Sequence, residues 1–289
     1  MVAGTRIEHA LLAAVATADA PGCPPRLAAA MHHAVFPGGA RIRPRLCLAV
    51  AHACGDDHPA ISDAAATAIE LLHCASLVHD DLPCFDDAAT RRGQPAVHRA
   101  YGEPLAVLTG DALIVLAFQT LARRAVAVPE RLAPLVQIVG GAVGVPSGIV
   151  AGQAWESEPK AVLAQYQREK TGALFVAACM AGAAAAGVDP APWRLLGDRL
   201  GEAYQVADDL KDVFADAGEL GKPVGQDALL GRPSAAAELG VDGAVARVQG
   251  LVQAAVDAVP ASPRADDLRA LVRSEAKRLV PQRVECDAA

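Results

Sequence analysis

Aromatic residues are scarce in this sequence, and β-branched residues are not enriched. Only 3% of its 289 residues are Phe, Trp or Tyr, whereas 53% are hydrophobic, with Ala, Leu and Val prominent. Ala and Leu are strong helix formers, and no segment alternates polar and apolar residues with a period of two. The composition therefore argues against a β-sheet protein and predicts an all-α fold with a large aliphatic core.

A basic surface and a targeting segment are also missing. The formal net charge of −7 argues against nucleic acid as a partner. No charged segment followed by an apolar run opens the chain, and Gly, Pro or charged residues interrupt the longest apolar stretches, so we expect neither a secretory signal nor a transmembrane segment. The seven cysteines form no Cys-x-x-Cys pair. We therefore expect reduced core thiols in a cytoplasmic protein.

Gly and Pro residues divide the chain into about ten or more helical segments. The predicted segments are 6–15, 25–35, 45–54, 63–82, 104–125, 130–143, 147–154, 159–185, 191–213, 233–257 and 264–279. No repeat and no long linker separates them. The sequence therefore predicts one all-α domain over residues 1–289, with a disordered tail at 281–289.

Two dense clusters of aspartates are the main chemical feature. The first, in LVHDDLPCFDDAATRRG, contains Asp80, Asp81, Asp86 and Asp87, and the second, in AYQVADDLKD, contains Asp208, Asp209 and Asp212. Carboxylate oxygens suit Mg²⁺ or Mn²⁺ better than Zn²⁺. Since Mg²⁺ is usually held by one or two carboxylates together with substrate phosphates, two facing clusters would clamp a diphosphate. Arg91 and Arg92 follow the first cluster and offer bidentate donors to phosphate oxygens.

The spacing within each cluster predicts its local geometry. Asp208 and Asp212 are four residues apart on a helical pattern, so they share one face and can reach the same group of ions. Asp80 and Asp86 are six apart with Pro83 between them, which indicates a helix that ends in a loop curling round the metal. Carboxylates at a helix C-terminus cost roughly 0.3 to 1 kcal/mol each unless a cation offsets them. The cluster therefore favours a functional site.

These motifs and their order resemble those of the trans-isoprenyl diphosphate synthases, the polyprenyl synthetase family. The resemblance covers nearly the whole chain: GGARIRP, HCASLVHDDLPCFDDAATRRG, GDAL, GQAWE, KTGALF, YQVADDLKD and GKPVGQD follow in the family's order. It is closest to bacterial geranylgeranyl diphosphate synthases of carotenoid or bacteriochlorophyll pathways. The resemblance implies the isoprenoid synthase type I fold, a helical bundle around a central cavity, and a homodimer. It also implies condensation of isopentenyl diphosphate with dimethylallyl, geranyl or farnesyl diphosphate.

The resemblance also implies roles for individual residues. About three Mg²⁺ ions, or Mn²⁺, would be held by Asp80, Asp81, Asp86, Asp208 and Asp212. The allylic diphosphate would be bound by Arg91, Lys170, Thr171, Gln205 and Lys222, of which Lys170 and Lys222 join the aspartates Asp80, Asp81, Asp86 and Asp208 in the catalytic set. Isopentenyl diphosphate would be bound by Arg43, His73 and Arg92. Two departures from the family pattern are Ala40 and Gln226, each of which stands where a lysine is usual.

The implied reaction begins with ionisation of the allylic diphosphate. The isopentenyl double bond then attacks the allylic cation and a proton is lost, with no side-chain nucleophile. Product length would depend on Ala75 and Ser76, which lie where farnesyl-producing relatives have an aromatic floor. Small side chains leave room for a longer chain, and each buried five-carbon unit contributes up to roughly 4 kcal/mol at about 0.8 per carbon group. We therefore expect a twenty-carbon product.

Four alternatives remain open at this level. A farnesyl diphosphate synthase would use the same chemistry and stop earlier. A class I terpene cyclase would lack the Arg pair and isopentenyl contacts. A non-catalytic regulatory subunit of a prenyl synthase would carry degraded acidic motifs, whereas here both are intact and only Ala40 favours that role. A metal-storage bundle would need Glu-x-x-His ligands, which the chain does not show.

Overall fold

The protein is mainly helical in the part that the computed structural model describes, which comprises residues 3–36, 38–158, 168–214 and 235–276. Its α-helices are α1 (Ala3–Val15), α2 (Pro25–Val35), α3 (Ile42–Cys54), α4 (Pro59–Asp80), α5 (Val97–Tyr101), α6 (Glu103–Arg124), α7 (Leu132–Val143), α8 (Ile149–Ala154), α9 (Ala173–Ala185), α10 (Arg194–Phe214), α11 (Ala235–Asp257) and α12 (Ala265–Ala276). Short 3₁₀ turns occupy Ala16–Asp19, Ala125–Ala127, Pro129–Arg131, Trp155–Ser157 and Ala191–Trp193. The all-α prediction is confirmed.

Several local predictions need correction. We predicted no strands, but Thr90–Arg91 (β1) and Gln94–Pro95 (β2) form a small antiparallel hairpin, and the short helix α5 follows it. The helix predicted over 159–185 has a π-helical turn at Arg168–Gly172 and then continues as α9. Residues 159–167, the last residues of the predicted segment 264–279 and the tail 281–289 lie outside the described residues.

Helix α4 begins at Pro59, four residues before its predicted start. Proline is favoured in the first turn of a helix because it has no backbone N–H to satisfy there and its φ is already helical. The same signal begins α2 at Pro25 and α6 near Pro104. Helix α4 ends at Asp80, so that Asp81 is its C-terminal cap, in agreement with the predicted break before Pro83.

The described residues fall into two compact units. The first comprises Met1–His52, Asp56–Gly140 and Ala181–Val188, and the second comprises Ala53–Gly55, Gly141–Met180 and Asp189–Ala289. The assignment of residues 1–289 to a single domain stays a prediction.

In the first unit, α4 packs along α6. Most of α4 is buried, including Ile69, Leu71 and Leu72, none of which is more than 2% exposed. Near the C-terminal end of α4, Val78 and Leu82 join a cluster with Ala30, Val97 and Ala106. This apolar support fixes the helix end that carries the first aspartates.

In the second unit, α10 packs against α9 and α11. Val206, Ala207 and Leu210 of α10 form a buried cluster with Ala244 and Val248 of α11. On the α9 side, a Cβ atom at Gly197 would lie 2.4 Å from the Cα of Val176. Glycine is therefore required for the close approach of these two helices, which positions the second aspartate cluster.

Two helical stretches are long and apolar enough to pass a test for membrane spans. They are Pro59–Asp80 and Glu103–Ala127, and 78% of the apolar window of the first is buried inside the protein. Core helices of globular proteins commonly pass this test, because burial selects the same residues as lipid does. The finding is weak support for a membrane span and places α4 in the core.

Candidate active site

The first aspartate cluster lies on a tight loop at the end of α4. The backbone N–H of Asp86 donates to the carbonyl of Asp80 at 3.0 Å, and the N–H of Asp87 donates to the carbonyl of Leu82 at 3.1 Å. Asp87 has a left-handed φ of 45°, which lets the loop turn back on itself. The loop thus returns Asp86 to Asp80, as the sequence predicted.

Asp81 forms an ion pair with Arg91 at the base of this loop. The Nε of Arg91 donates to both carboxylate oxygens, at 3.0 and 3.2 Å, and its Nη2 contacts Oδ1 as well. Burial raises the pKa of the Asp81 carboxyl, although Arg91 opposes this rise. Burial would lower the pKa of Arg91, but Asp81 more than offsets it and the pKa lies above its ordinary value. The two predicted ligand-binding groups therefore hold each other in this structure.

The residues predicted to bind isopentenyl diphosphate are gathered around His73. Nη1 of Arg43 lies 3.4 Å from Nε2 of His73. Burial, followed by the charges of Arg43, Arg92 and other arginines, lowers the pKa of His73 well below its ordinary value. His73 is therefore neutral at physiological pH, and its Nε2 accepts the hydrogen bond from Arg43.

Arg92 is fixed against the glycine loop that precedes α3. Its Nη1 donates to the carbonyl of Gly38, and a Cβ atom at Gly39 would lie 2.9 Å from the guanidinium carbon. Arg92 itself has a φ of 53°, in the left-handed region. The GG pair of the GGARIRP motif therefore makes room for the Arg92 guanidinium.

Sequence reasoning missed an acidic group beneath these arginines. The carboxylate of Glu70, only 2% exposed, accepts a hydrogen bond of 2.6 Å from Nη1 of Arg41. Arg41 also donates to Glu8 at 2.8 Å and to the carbonyl of Val35 at 2.8 Å. A charged residue at a core position of an apolar helix is the signal that could have identified Glu70, because such residues are rarely buried without a partner.

His79, the residue before Asp80, connects α4 to α6. Its Nε2 donates to the carbonyl of Val107 at 3.2 Å. The ring fits against α6 only because residue 110 is glycine, since a Cβ atom there would lie 2.0 Å from Nε2. This contact accounts for the glycine of the GDAL motif.

In the second unit, Lys170 and Thr171 lie on the π-helical turn Arg168–Gly172. Nζ of Lys170 lies 3.1 Å from a carboxylate oxygen of Glu156, whose other oxygen accepts a hydrogen bond of 2.7 Å from Gln153. A Cβ atom at Gly152 would lie 2.7 Å from the backbone nitrogen of Lys170. Residues of the GQAWE motif therefore pack against the backbone of Lys170 and pair with its ammonium group. The π-helical turn itself is a further indication, because such turns are frequent at functional sites.

Helix α10 carries the second aspartate cluster. Asp209 is buried at 4% exposure and accepts hydrogen bonds of 2.9 Å from Gln205 and from the backbone N–H of Ala235. Asp208, the residue predicted as a metal ligand, is half-buried. Asp212 lies on the same helix, but its side chain is not described, and Lys222 and Gln226 lie outside the described residues.

The donor set of the Asp80–Asp87 loop fits a hard divalent cation. Within the described residues no three His, Cys, Asp or Glu side chains are arranged to hold a metal by themselves. Mg²⁺ needs fewer protein ligands than that, because phosphate oxygens and water complete its octahedron. Asp80 and Asp86, brought together by the loop, are suited to that task, whereas Asp81 would first have to leave Arg91.

The chain-length positions lie one turn before the aspartates. Ala75 is 1% exposed, and the hydroxyl of Ser76 donates to the carbonyl of His73 at 2.8 Å. Both side chains are small, as read from the sequence.

The polyprenyl synthetase family model matches residues 24–257 of the chain, a range that includes both aspartate clusters. This chain belongs to the polyprenyl synthetase family.

Two curated relatives and one solved structure are similar to nearly the whole chain. The chain is 56% identical to a geranylgeranyl diphosphate synthase of Cereibacter sphaeroides over 279 residues, which cover 96% of this chain and 97% of that protein. It is 50% identical to a geranylgeranyl diphosphate synthase of Rhodobacter capsulatus over 275 residues, covering 95% of each. Among solved structures, a geranyltransferase of Helicobacter pylori, complexed with magnesium and isoprenyl diphosphate, matches with a TM-score of 0.78 and 28% identity, covering 96% of this chain and 98% of that one.

Proposed function

We propose that this polyprenyl synthetase is a geranylgeranyl diphosphate synthase that condenses isopentenyl diphosphate with allylic diphosphates. The observation that carries the proposed chemistry is the Asp80–Asp87 loop. In this loop a backbone bond from Asp86 to Asp80 brings the two residues together, and Arg91 pairs with Asp81. Such a loop suits an Mg²⁺-bound diphosphate. The named relatives at 56% and 50% identity support the twenty-carbon product.

In this proposal Asp80, Asp86 and Asp208 are ligands of Mg²⁺, with Asp81 and Asp212 assisting. When bound, the cation would neutralise the negative charge that accumulates on the diphosphate as it leaves. Arg91 would exchange one of its contacts with Asp81 for a phosphate oxygen, and an Asp81 oxygen would then be available to help hold the cation. A buried Arg–Asp pair is suited to such an exchange because both members stay paired throughout.

Lys170 is a donor to the leaving diphosphate in this proposal, with Thr171, Gln205 and Lys222 as further donors. Glu156 holds Nζ of Lys170 at 3.1 Å, so the ammonium stays charged and aimed before the substrate arrives. Gln205 has one amide hydrogen committed to Asp209 at 2.9 Å and a second that a phosphate oxygen can accept. Electrostatic stabilisation of the departing diphosphate is then the main catalytic contribution of these residues.

Isopentenyl diphosphate is bound by Arg43, His73 and Arg92, and the neutral ring of His73 also orients Arg43. The condensation needs no side-chain nucleophile, because the isopentenyl double bond supplies the electron pair. The proton that is then lost passes to the departed diphosphate, so we assign no residue as a general base.

The proposal is tested by incubating the protein with Mg²⁺, labelled isopentenyl diphosphate and, separately, dimethylallyl, geranyl and farnesyl diphosphate. Products are sized after phosphatase treatment, and geranylgeraniol is the expected alcohol. Farnesol alone would make the chain a farnesyl diphosphate synthase and refute the assignment of product length. No incorporation with any allylic partner would refute the synthase and favour the regulatory subunit.

Ala75 is the residue that tests how product length is set. In this proposal the growing chain passes Ala75, a small residue that is 1% exposed, so Ala75→Phe would obstruct its path and is expected to shift the product from twenty to fifteen carbons. Ser76→Ala, which keeps a small side chain on the same helix, is the matched control and should leave product length unchanged. Twenty-carbon product from both variants would contradict the assignment.

A further inference from the structure

The candidate isopentenyl half of the site is crowded with positive charge. Four guanidinium groups, those of Arg41, Arg43, Arg91 and Arg92, are close enough to His73 to lower its pKa. Arg91 is paired with Asp81 and Arg41 with Glu8, so these two have acidic partners of their own. Like charges this close repel one another, and each needs a fixed partner if it is to keep one position.

One oxygen of Glu70 serves two of these arginines. Its Oε1 lies 2.6 Å from Nη1 of Arg41 and 4.0 Å from Nη2 of Arg92. The carboxylate is 2% exposed, so solvent screens neither interaction strongly. Glu70 therefore places an anion between two guanidinium groups that would otherwise repel.

The geometry of Arg92 depends on such a partner. Its guanidinium is enclosed by the Gly38 carbonyl and by the backbone of Gly39, and its own φ lies in the left-handed region. A strained backbone conformation persists only where the surroundings over-determine it. Glu70 contributes the attraction on the third side of the guanidinium.

We propose that Glu70 is a positioning residue for isopentenyl diphosphate: its buried carboxylate separates Arg41 from Arg92 and aims the Arg92 guanidinium at the diphosphate of that substrate. This inference rests on the proposed function. The positioning of Arg92 matters in this chain because residue 40 is Ala where a lysine is usual. The chain therefore relies on guanidinium groups to hold the isopentenyl diphosphate. In this proposal Glu70 acts through Arg92 and is not itself a ligand of either substrate.

The test compares Glu70→Gln with Glu8→Gln. Glutamine keeps the shape of the side chain and removes its charge, so Arg92 loses its fixed anion. The KM for isopentenyl diphosphate should rise about tenfold in Glu70→Gln, while the KM for the allylic substrate stays within about twofold. Glu8→Gln removes the other carboxylate on Arg41, 2.8 Å away, and should leave both KM values close to those of the unaltered protein.

A double variant separates positioning from simple loss of a buried ion pair. In Arg41→Met/Glu70→Gln neither the buried guanidinium nor its carboxylate is left unpaired, so folding is protected if the single variant does not fold. Removing Arg41 also removes one of the two repelling charges, so the defect in KM for isopentenyl diphosphate should become smaller, but it should persist because Arg92 still lacks its anion. Full recovery of that KM in the double variant would overturn the inference, because it would leave no role for the attraction between Glu70 and Arg92.

Equal changes in the two KM values of Glu70→Gln, or a fall in thermal stability with both KM values unchanged, would also overturn the inference. Failure of the proposed function is a different result. It would appear in the unaltered protein, as absence of isopentenyl incorporation with every allylic partner.

Discussion

Gly110 offers a sharp test of how the first aspartate cluster is supported. A Cβ atom at this position would lie 2.0 Å from Nε2 of His79, far inside van der Waals contact. Gly110→Ala should therefore push the His79 ring away from α6 and break its hydrogen bond of 3.2 Å to the carbonyl of Val107. Since Asp80 follows His79 directly, catalysis should suffer along with stability.

The magnitude follows from three opposing contributions. Overpacking costs about 1–3 kcal/mol. The lost hydrogen bond costs about 1 kcal/mol. Replacing glycine by alanine inside a helix returns about 1 kcal/mol. The free energy of unfolding should therefore fall by about 1–3 kcal/mol in Gly110→Ala.

The assay is urea unfolding of a double-mutant cycle. His79→Ala removes the clashing ring, so adding Gly110→Ala in that background should stabilise the protein. The two changes should be coupled by about 2–4 kcal/mol, the sum of the overpacking and the lost hydrogen bond. Gly140→Ala is the matched control, because position 140 also lies inside an α-helix, α7, but no atom lies within 4 Å of a Cβ atom there. Additive effects at positions 79 and 110 would refute the reasoning.

Three further predictions concern packing, thiols and pH. Gly182→Ala should destabilise the protein by more than about 1 kcal/mol, because its Cβ would lie 2.4 Å from a backbone carbonyl of α3. Gly140→Ala, the control, should be neutral or stabilising. Thermal unfolding measures the difference, and equal melting temperatures of the two variants would contradict the prediction. Burial raises the pKa of Cys74 to about 12, whereas Cys84 is exposed. Peptide mapping after alkylation of the native protein at mildly alkaline pH should therefore find Cys84 modified and Cys74 intact. Labelling of both cysteines at similar rates would be inconsistent with the structure. The pKa of His73 is depressed in the folded protein, so the contribution of His73 to stability is full above its ordinary pKa of 6.5 and declines as the pH falls below that value. The free energy of unfolding should therefore drop less towards acid pH in His73→Gln than in the unaltered protein. Parallel pH profiles of the two proteins would count against a neutral buried ring.

Much of the fold was predictable because it depends on local signals. Helices α2, α7 and α8 lie within a few residues of their predicted bounds, since Pro and Gly punctuate the chain there. The β1–β2 hairpin was missed because two-residue strands have no periodicity to detect. The π-helical turn at Arg168–Gly172 was missed for a related reason: its sequence is compatible with an ordinary helix, and the close approach of Gly152 to Lys170 is a tertiary contact.

The candidate site, like the fold, has features that the sequence predicted and features that it did not. The break of α4 at Asp80 and the return of the loop to Asp86 could be read from Pro83 and the spacing of the acids. The partners of the individual charges could not. Asp81 pairs with Arg91, 10 residues away, and Lys170 pairs with Glu156, 14 residues away. Both separations exceed a helical turn, so no local spacing rule predicts these pairs.

The sequence by itself determined the helical class, the positions of the two acidic clusters and the chemistry that dense carboxylates beside arginines favour. These properties depend on residue type and on spacings within a turn or a loop, which act over a few residues. Only the tertiary structure decided which charges neutralise one another. The buried carboxylate of Glu70 is 29 residues from Arg41 in the chain, yet 2.6 Å from it in space. No local pattern encodes such a pairing, since it is the packing of α4 beneath the glycine loop that removes water and makes the contact strong.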